Sequence, residues 1–194
     1  MELIGVLGGS FNPPHLGHVH LAKSLHSRFS RLLVSPCGPR PDKPSLIFSH
    51  HRLEMTRLAF QGLAPNIEVN DIEVRQERMI PSYHLLKGLM SEHPTAKVQM
   101  IIGSDLVPTL GNWIEAEKLQ TECFFFVIPR PGYPLPAALC TEHFTLMSEG
   151  EYAPMPQSST EIRTLLSDGT SDAQLLDHLP APVLAYIRTH SLYT

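Results

Sequence analysis

Short unbroken apolar runs alternate along the chain with longer segments whose apolar positions recur every three or four residues. The runs ELIGVL (2–7), RLLVSPC (31–37), VQMIIG (98–103) and CFFFVIPR (123–130) read as buried strands. IEVNDIEV (67–74) alternates like a strand, and HFTLM (143–147) is a weaker candidate. Helical periodicity covers 16–28, with Leu16, Val19, Ala22 and Leu25 on one face. It returns over 50–62, with Ser49 as the expected cap and Gly62 as the stop, and over 82–93, with Pro94 beyond. Residues 105–122 read as helix interrupted by Pro108 and Gly111, and two more helices are expected toward the C-terminus. Apolar strands alternating with helices predict a mostly parallel sheet covered on both faces. The expected architecture is one doubly wound α/β domain over residues 1–194, with a small helical C-terminal part from about 157. In such sheets ligands bind beyond the carboxyl ends of the strands.

Composition narrows the partners. Of 194 residues, 42% are hydrophobic and 18% charged, an ordinary globular balance. A formal net charge of −4 speaks against a general nucleic-acid or membrane-surface binder. No apolar run approaches the ~20 residues of a membrane span, and the N-terminus lacks a basic leader region. Cys37, Cys123 and Cys140 are scattered, which fits free thiols in a reducing, cytoplasmic setting. The Pro-rich stretches 38–48 and 129–140 are candidate mobile loops.

Candidate chemistry concentrates after the predicted strands. In LIGVLGGSFNPPHLGHVHLA (3–22), Gly8 and Gly9 end a strand and allow a tight turn and close backbone approach to a ligand. The helix that follows offers free N–H groups and a positive dipole end. His15 and His18 are three apart, so they share a helix face. Three readings of these residues compete: solvated histidines at a helix start, a metal site, and a phosphate site. The metal reading needs further ligands, and His20 points elsewhere on the helix. The phosphate reading uses the glycine turn, the dipole and both imidazoles, although neither a Walker A loop nor a GxGxxG fingerprint is present. Near the C-terminus, PQSSTEIRTLLSDG (156–169) fits a capping box opening a helix. Arg163 then lies near a helix N-terminus, where the dipole disfavours a cation unless an anion is held there.

GSFNPPHLGH, ending in His15-Leu16-Gly17-His18, resembles the (T/H)xGH signature of the nucleotidyltransferase α/β-phosphodiesterase superfamily. SSTEIR (158–163) resembles that superfamily's ISSTxIR motif. The likeness extends along nearly the whole chain and is closest to the nicotinate/nicotinamide mononucleotide adenylyltransferases. IIGSDLVPTLGNWIEAEKL (101–119) is similar to their GxD…W segment, and Pro81-Ser82-Tyr83 to their PSYT element. IPRPGY (128–133) and the ending VLAYIRTHSLY also look like the bacterial enzymes. Departures are His84 where the family has Thr, Ile114 after the Trp, and Gly111 before Asn112-Trp113.

The resemblance implies a Rossmann-like fold and transfer of AMP from ATP to the 5′-phosphate of nicotinate mononucleotide or its amide, with Mg²⁺ accompanying ATP. It implies catalytic roles for His15, His18 and Arg163. ATP would be bound by Gly8, Gly9, Ser10, Phe11, Gly103, Asp105, Ser159, Thr160 and Ile162. The pyridine nucleotide would fall to Lys43, Arg52, Tyr83, His84, Trp113 and Arg130. No residue is expected to ligate a metal directly, and a homo-oligomer is compatible with the pattern. Periodicity alone makes Trp113 as much a packing residue as a ring platform. Two other readings are weighed: phosphopantetheine adenylyltransferase, which fits the SYH and GNW segments poorly, and a non-catalytic nucleotide sensor on the same fold.

Overall fold

The computed structural model describes residues 1–40, 42–43, 46–135, 142–148 and 150–194. Among them six strands form one sheet: β1 (Glu2–Gly9), β2 (Arg31–Pro36), β3 (Ile67–Val69), β4 (Ala96–Gly103), β5 (Phe124–Ile128) and β6 (Phe144–Leu146). Their spatial order is β3-β2-β1-β4-β5-β6, and every pairing is parallel. The order reverses between β1 and β4, whose loops therefore leave in opposite directions and open a crevice at their carboxyl ends. The described residues also include eight α-helices: α1 (Leu16–Leu25), α2 (Ser49–Phe60), α3 (Ile72–Arg75), α4 (Ser82–Glu92), α5 (Ala116–Glu122), α6 (Ser159–Ser167), α7 (Asp172–Leu175) and α8 (Ala181–Thr189).

The strands read as unbroken apolar runs because both faces are covered. Ile4, Val6, Phe125 and Val127 pack on one side with Leu85, Leu86 and Leu89 of α4. Their strand neighbours Leu7, Phe126 and Ile128 turn to the other side, into a cluster with α1, α2 and the C-terminal helices. Each such side chain contributes on the order of 1.5–3 kcal/mol when fully buried, so a one-residue slip would exchange the two cores.

Several boundaries differ from the sequence reading. β3 stops at Val69, because the Asn70 side-chain oxygen accepts the Ile72 N–H at 3.1 Å and turns the chain into α3. Ser49 is the first residue of α2 rather than its cap; Phe48 holds that position without a side-chain bond. α1 ends at Leu25 in a 3₁₀ turn over His26–Arg28. The 105–122 segment divides into a 3₁₀ stretch, Val107–Asn112, and α5. β5 stops at Ile128, and Arg130 instead bridges Tyr133 across a turn. Three helices, not two, follow residue 157. Cys140 and parts of both Pro-rich stretches lie outside the described residues; Cys37 and Cys123 are buried free thiols. No described helix is long and apolar enough to cross a membrane.

Candidate active site

The β1–α1 loop is shaped for close approach. A Cβ on Gly9 would sit 3.1 Å from the Phe11 ring. Phe11 adopts φ +45°, which costs roughly 1–3 kcal/mol for a non-glycine residue. Its ring is only 2% exposed, and burial of that size offsets the strain. The ring stands edge-on to His18 at 4.9 Å, so the turn that exposes the loop backbone also props an imidazole. His15 follows a cis Asn12–Pro13 bond and precedes α1, whose first N–H, on Leu16, donates to the His178 carbonyl at 2.8 Å.

His15 and His18 lie with ring centroids 3.7 Å apart and planes tilted by 30°. The His15 backbone N–H donates to His18 Nδ1 at 3.2 Å, which leaves His18 its proton on Nε2. Gly17 makes room for this arrangement: a Cβ there would lie 3.0 Å from His15 Cε1 and Nδ1. Burial, reinforced by His178, pushes the His15 pKa down to about 4. Burial also holds His18 well below its ordinary value, with His15 and then Arg130 adding to it. Both rings are therefore neutral at pH 7.

Helix α6 brings the second motif to the first. Ser158 Oγ accepts the Glu161 N–H at 3.2 Å, the expected cap. Ser159 Oγ donates to the Pro13 carbonyl at 2.9 Å. Arg163 donates from Nη1 to the Asn12 carbonyl at 2.9 Å and from Nη2 to Thr160 Oγ1 at 3.2 Å. Tyr193 adds a bond from its hydroxyl to Asn12 Oδ1 at 2.7 Å. Arg163 and the α6 N-terminus thus sit beside the histidine loop. Ile162 does not present a contact surface: its side chain is fully buried and its N–H is taken by the Ser158 carbonyl.

On the neighbouring strand ends, Gly103 lets Asp105 and Arg130 close in. A Cβ at Gly103 would fall 2.2 Å from Asp105 Oδ1 and 3.0 Å from Arg130 Nε. Arg130 Nε stands 3.8 Å from Asp105 Oδ1, and its backbone N–H donates to Ser104 Oγ at 2.8 Å. Arg130 also lies close enough to His18 for its charge to disfavour the imidazolium.

The other side of the β1 tip opens into a cavity of about 450 Å³, within the range of small-molecule sites. Gly8, Gly9, Ser10, Lys43, Ser82 and Trp113 are among its walls. The indole N–H of Trp113 is engaged by Thr109 Oγ1 at 3.2 Å, which fixes the ring at the cavity edge. Three other expected contacts are placed elsewhere. Arg52 is 1% exposed and donates to the carbonyls of Ser10, Gly38 and Ile47, so it braces the wall from behind. The Tyr83 hydroxyl donates to Glu122 at 3.0 Å, and His84 Nε2 pairs with Glu115 at 2.5 Å; neither side chain lines the cavity.

Sequence reasoning missed Glu73, which does line the cavity. Its carboxylate accepts the N–H groups of Gly38 and Ile80, and burial raises its pKa above the ordinary value. Glu73 was hidden because it fell inside the alternating stretch read as a strand. Arg40 also reaches this wall, bound to Asp42 through two bonds of 2.8 and 2.6 Å.

Among the described residues no three His, Cys, Asp or Glu side chains converge in a way that could hold a metal ion. His20, the third histidine of the first motif, lies against Tyr152 at 5.5 Å and does not join the other two.

A cytidylyltransferase-like family model matches residues 6–165. The chain is 33% identical over 203 residues to a protein of Bordetella petrii named probable nicotinate-nucleotide adenylyltransferase, covering all of both chains. It is 30% identical to one of the same name from Gemmatimonas aurantiaca, over 98% of this chain and 92% of that protein. Among solved structures, the Plasmodium falciparum nicotinic acid mononucleotide adenylyltransferase complexed with NaAD superposes with a TM-score of 0.82 at 25% identity, covering 100% of this chain and 98% of that one.

Proposed function

Because the chain belongs to the cytidylyltransferase-like family, and within it to the nicotinate-nucleotide adenylyltransferases, we propose that it transfers AMP from Mg·ATP to the 5′-phosphate of nicotinate mononucleotide. The products are deamido-NAD and pyrophosphate, and the reaction serves NAD biosynthesis. The observation that carries this reading is the meeting of two phosphate-binding motifs, joined by the Arg163–Asn12 bond, beside a mononucleotide-sized cavity edged by Trp113.

A phosphate monoester has a second pKa near 6, so the acceptor is already a dianion at pH 7 and needs no general base. One of its oxygens attacks the α-phosphorus of ATP, and the bond from that phosphorus to the β-phosphate oxygen breaks. Catalysis then rests on alignment and on charge stabilisation. His18 donates Nε2–H to the α- and β-phosphates, and His15 binds beside it. The Gly9–Phe11 backbone seats the same phosphates. Arg163, Ser159 and Thr160 hold the departing pyrophosphate, and Arg130 adds positive charge on that side. Gly103 and Asp105 face the adenosine, where a carboxylate suits ribose hydroxyls.

Trp113 and Ser82 address the pyridine nucleotide, and the cations Lys43 and Arg40 suit its net negative charge. Mg²⁺ would arrive with ATP and would supply neutralising charge at the phosphates that His15, His18 and Arg163 bind. We read residues 1–194 as one such domain working in a reducing cytoplasm, where Cys37 and Cys123 stay free.

The test is pyrophosphate release with ATP and Mg²⁺, comparing nicotinate mononucleotide, its amide and phosphopantetheine. A marked preference for the acid is expected. Activity only with phosphopantetheine, or release with none of the three, overturns the proposal.

A further inference from the structure

The cavity beside the β1 tip has two lips. One is the start of α4, where Pro81 and Ser82 line it; the other is the segment 112–114, which carries Trp113. The second lip belongs to a largely exposed stretch between two buried leucines, Leu110 and Leu119. Trp113 bonds within its own segment: the indole N–H meets Thr109 Oγ1 at 3.2 Å, and the backbone N–H donates to the Leu110 carbonyl at 3.1 Å. These bonds fix the ring in the segment but not the segment against α4. The indole also packs on the α4-side core, but apolar packing is non-directional.

A directional tie between the lips lies just outside the cavity. His84, in the first turn of α4, meets Glu115, two residues after Trp113, with Nε2 and Oε2 2.5 Å apart. Glu115 Oε2 is closed to solvent and has no other polar partner among the described residues, while Oε1 binds Lys118 at 2.9 Å. Lys118 foremost, and His84 as well, hold the Glu115 carboxyl below the ordinary carboxylate range against the opposing effect of burial. An imidazole can donate from Nε2 whether it is neutral or charged. Glu115 also stands at φ +56°, a left-handed conformation that persists in a non-glycine residue only where surrounding contacts enforce it. At the other end of α5, Glu122 accepts bonds from Tyr83 and Lys87 at 3.0 and 3.2 Å. Helix α5 is thus pinned to α4 at both ends, and His84 supplies the pin next to the indole. Because exposed ion pairs add little to global stability, the consequence of this one is local.

We propose that His84 is a positioning residue for Trp113: through Glu115 it ties the indole-bearing segment to the start of α4 and so sets the gap that a flat heteroaromatic ring enters. Neither His84 nor Glu115 lines the cavity, so both act through the lips rather than by touching the ligand. The kinetic part of the proposal rests on the mononucleotide reading above; the structural part does not.

The test uses His84→Ala, Glu115→Ala, the double variant and His84→Gln in the full chain. Trp113 is the sole tryptophan, so its emission and its quenching by acrylamide report on this lip without turnover. Steady-state kinetics with Mg·ATP and nicotinate mononucleotide give the second readout. His84→Ala is expected to red-shift the emission, to raise the quenching constant, and to raise KM for the mononucleotide about fivefold, the equivalent of ~1 kcal/mol, with smaller changes in kcat and in KM for ATP. The double variant should be little worse than either single one, as for two residues that act as a pair. His84→Gln, which keeps a donor, should recover most of both readouts. Unchanged emission and quenching in His84→Ala, additive effects in the double variant, or a His84→Gln variant as impaired as His84→Ala overturns the proposal. A wild-type chain that turns over no mononucleotide refutes the assigned activity instead, and the fluorescence result still decides the role of His84.

Discussion

Arg163 donates to the main-chain carbonyl of Asn12 across a sequence separation of 151 residues. One guanidinium nitrogen is spent on this link and another on Thr160 Oγ1, so the cation is held in place before any phosphate arrives. Preorganised charge of this kind costs no reorganisation during reaction.

Arg163→Ala is therefore expected to lower kcat/KM for ATP by about 10²–10³-fold. Arg163→Lys should remain well below wild type, since a single ammonium cannot bind the Asn12 carbonyl and a phosphate in the fork geometry of Arg. Steady-state kinetics at saturating mononucleotide decide this. A Lys variant with full activity would show that charge alone is enough.

His18 separates chemistry from folding. Its ring packs on Phe11 and His15 but lies outside the two large apolar clusters. His18→Ala should cost about 1–2 kcal/mol of stability while lowering kcat about 10²–10³-fold. Urea unfolding beside initial-rate kinetics reads both quantities. A nearly wild-type rate would remove His18 from the phosphate site.

Burial of His15 also sets a pH dependence of stability. Its pKa is about 4 in the folded chain against 6.5 when unfolded. Between these values the unfolded state binds the proton and the folded state does not. The stability is thus intact above pH 6.5 and is lost as pH falls toward 4, by roughly 3 kcal/mol in all. The same contribution is absent from His15→Leu, which has no imidazole to protonate. The stability of wild type relative to that variant should fall as urea unfolding is repeated at pH 7.5, 5.5 and 4.5. A constant difference would mean that His15 titrates normally.

Much of this could be read from the chain. Five of the six strands were placed to within three residues at either end, four of them because their apolar runs are too strong to lie anywhere but between two cores. The histidine loop and the α6 start were legible because glycine, histidine and hydroxyl residues cluster where helices begin. The failures were of two kinds. Asn70 redirected the backbone with a single side-chain bond, which splits an alternating pattern that periodicity treats as continuous. Arg52 and Tyr83 lie near the cavity in sequence terms but turn away from it, and side-chain direction is set by tertiary partners that no local pattern records. The same ambiguity hid Glu73, whose partners are the loop N–H groups of Gly38 and Ile80.

The Gly38 peptide shows what those hidden partners do. Buried Arg52 donates to its carbonyl at 2.9 Å, and the buried Glu73 carboxylate accepts its N–H at 3.2 Å. A Cβ on Gly38 would lie 2.4 Å from the Arg78 carbonyl, so this loop is pressed against the loop that carries Ile80. Two charges inside a protein are costly unless their donors and acceptors are engaged, and removing one partner is worse than replacing both. Arg52→Ala leaves the carbonyls of Ser10, Gly38 and Ile47 without their donor and removes one of the two cations, with Arg40, that favour the Glu73 carboxylate. A loss of about 3–5 kcal/mol is expected. Glu73→Gln retains an acceptor for the Gly38 and Ile80 N–H groups but removes the charge, so it should destabilise less. Because the clamped loop carries Arg40 and Lys43 to the cavity wall, Glu73→Gln should raise KM for the mononucleotide while KM for ATP changes little. Urea unfolding together with the two KM values tests the whole arrangement. Equal increases in both KM values would show that the clamp supports the fold generally and not the mononucleotide pocket in particular.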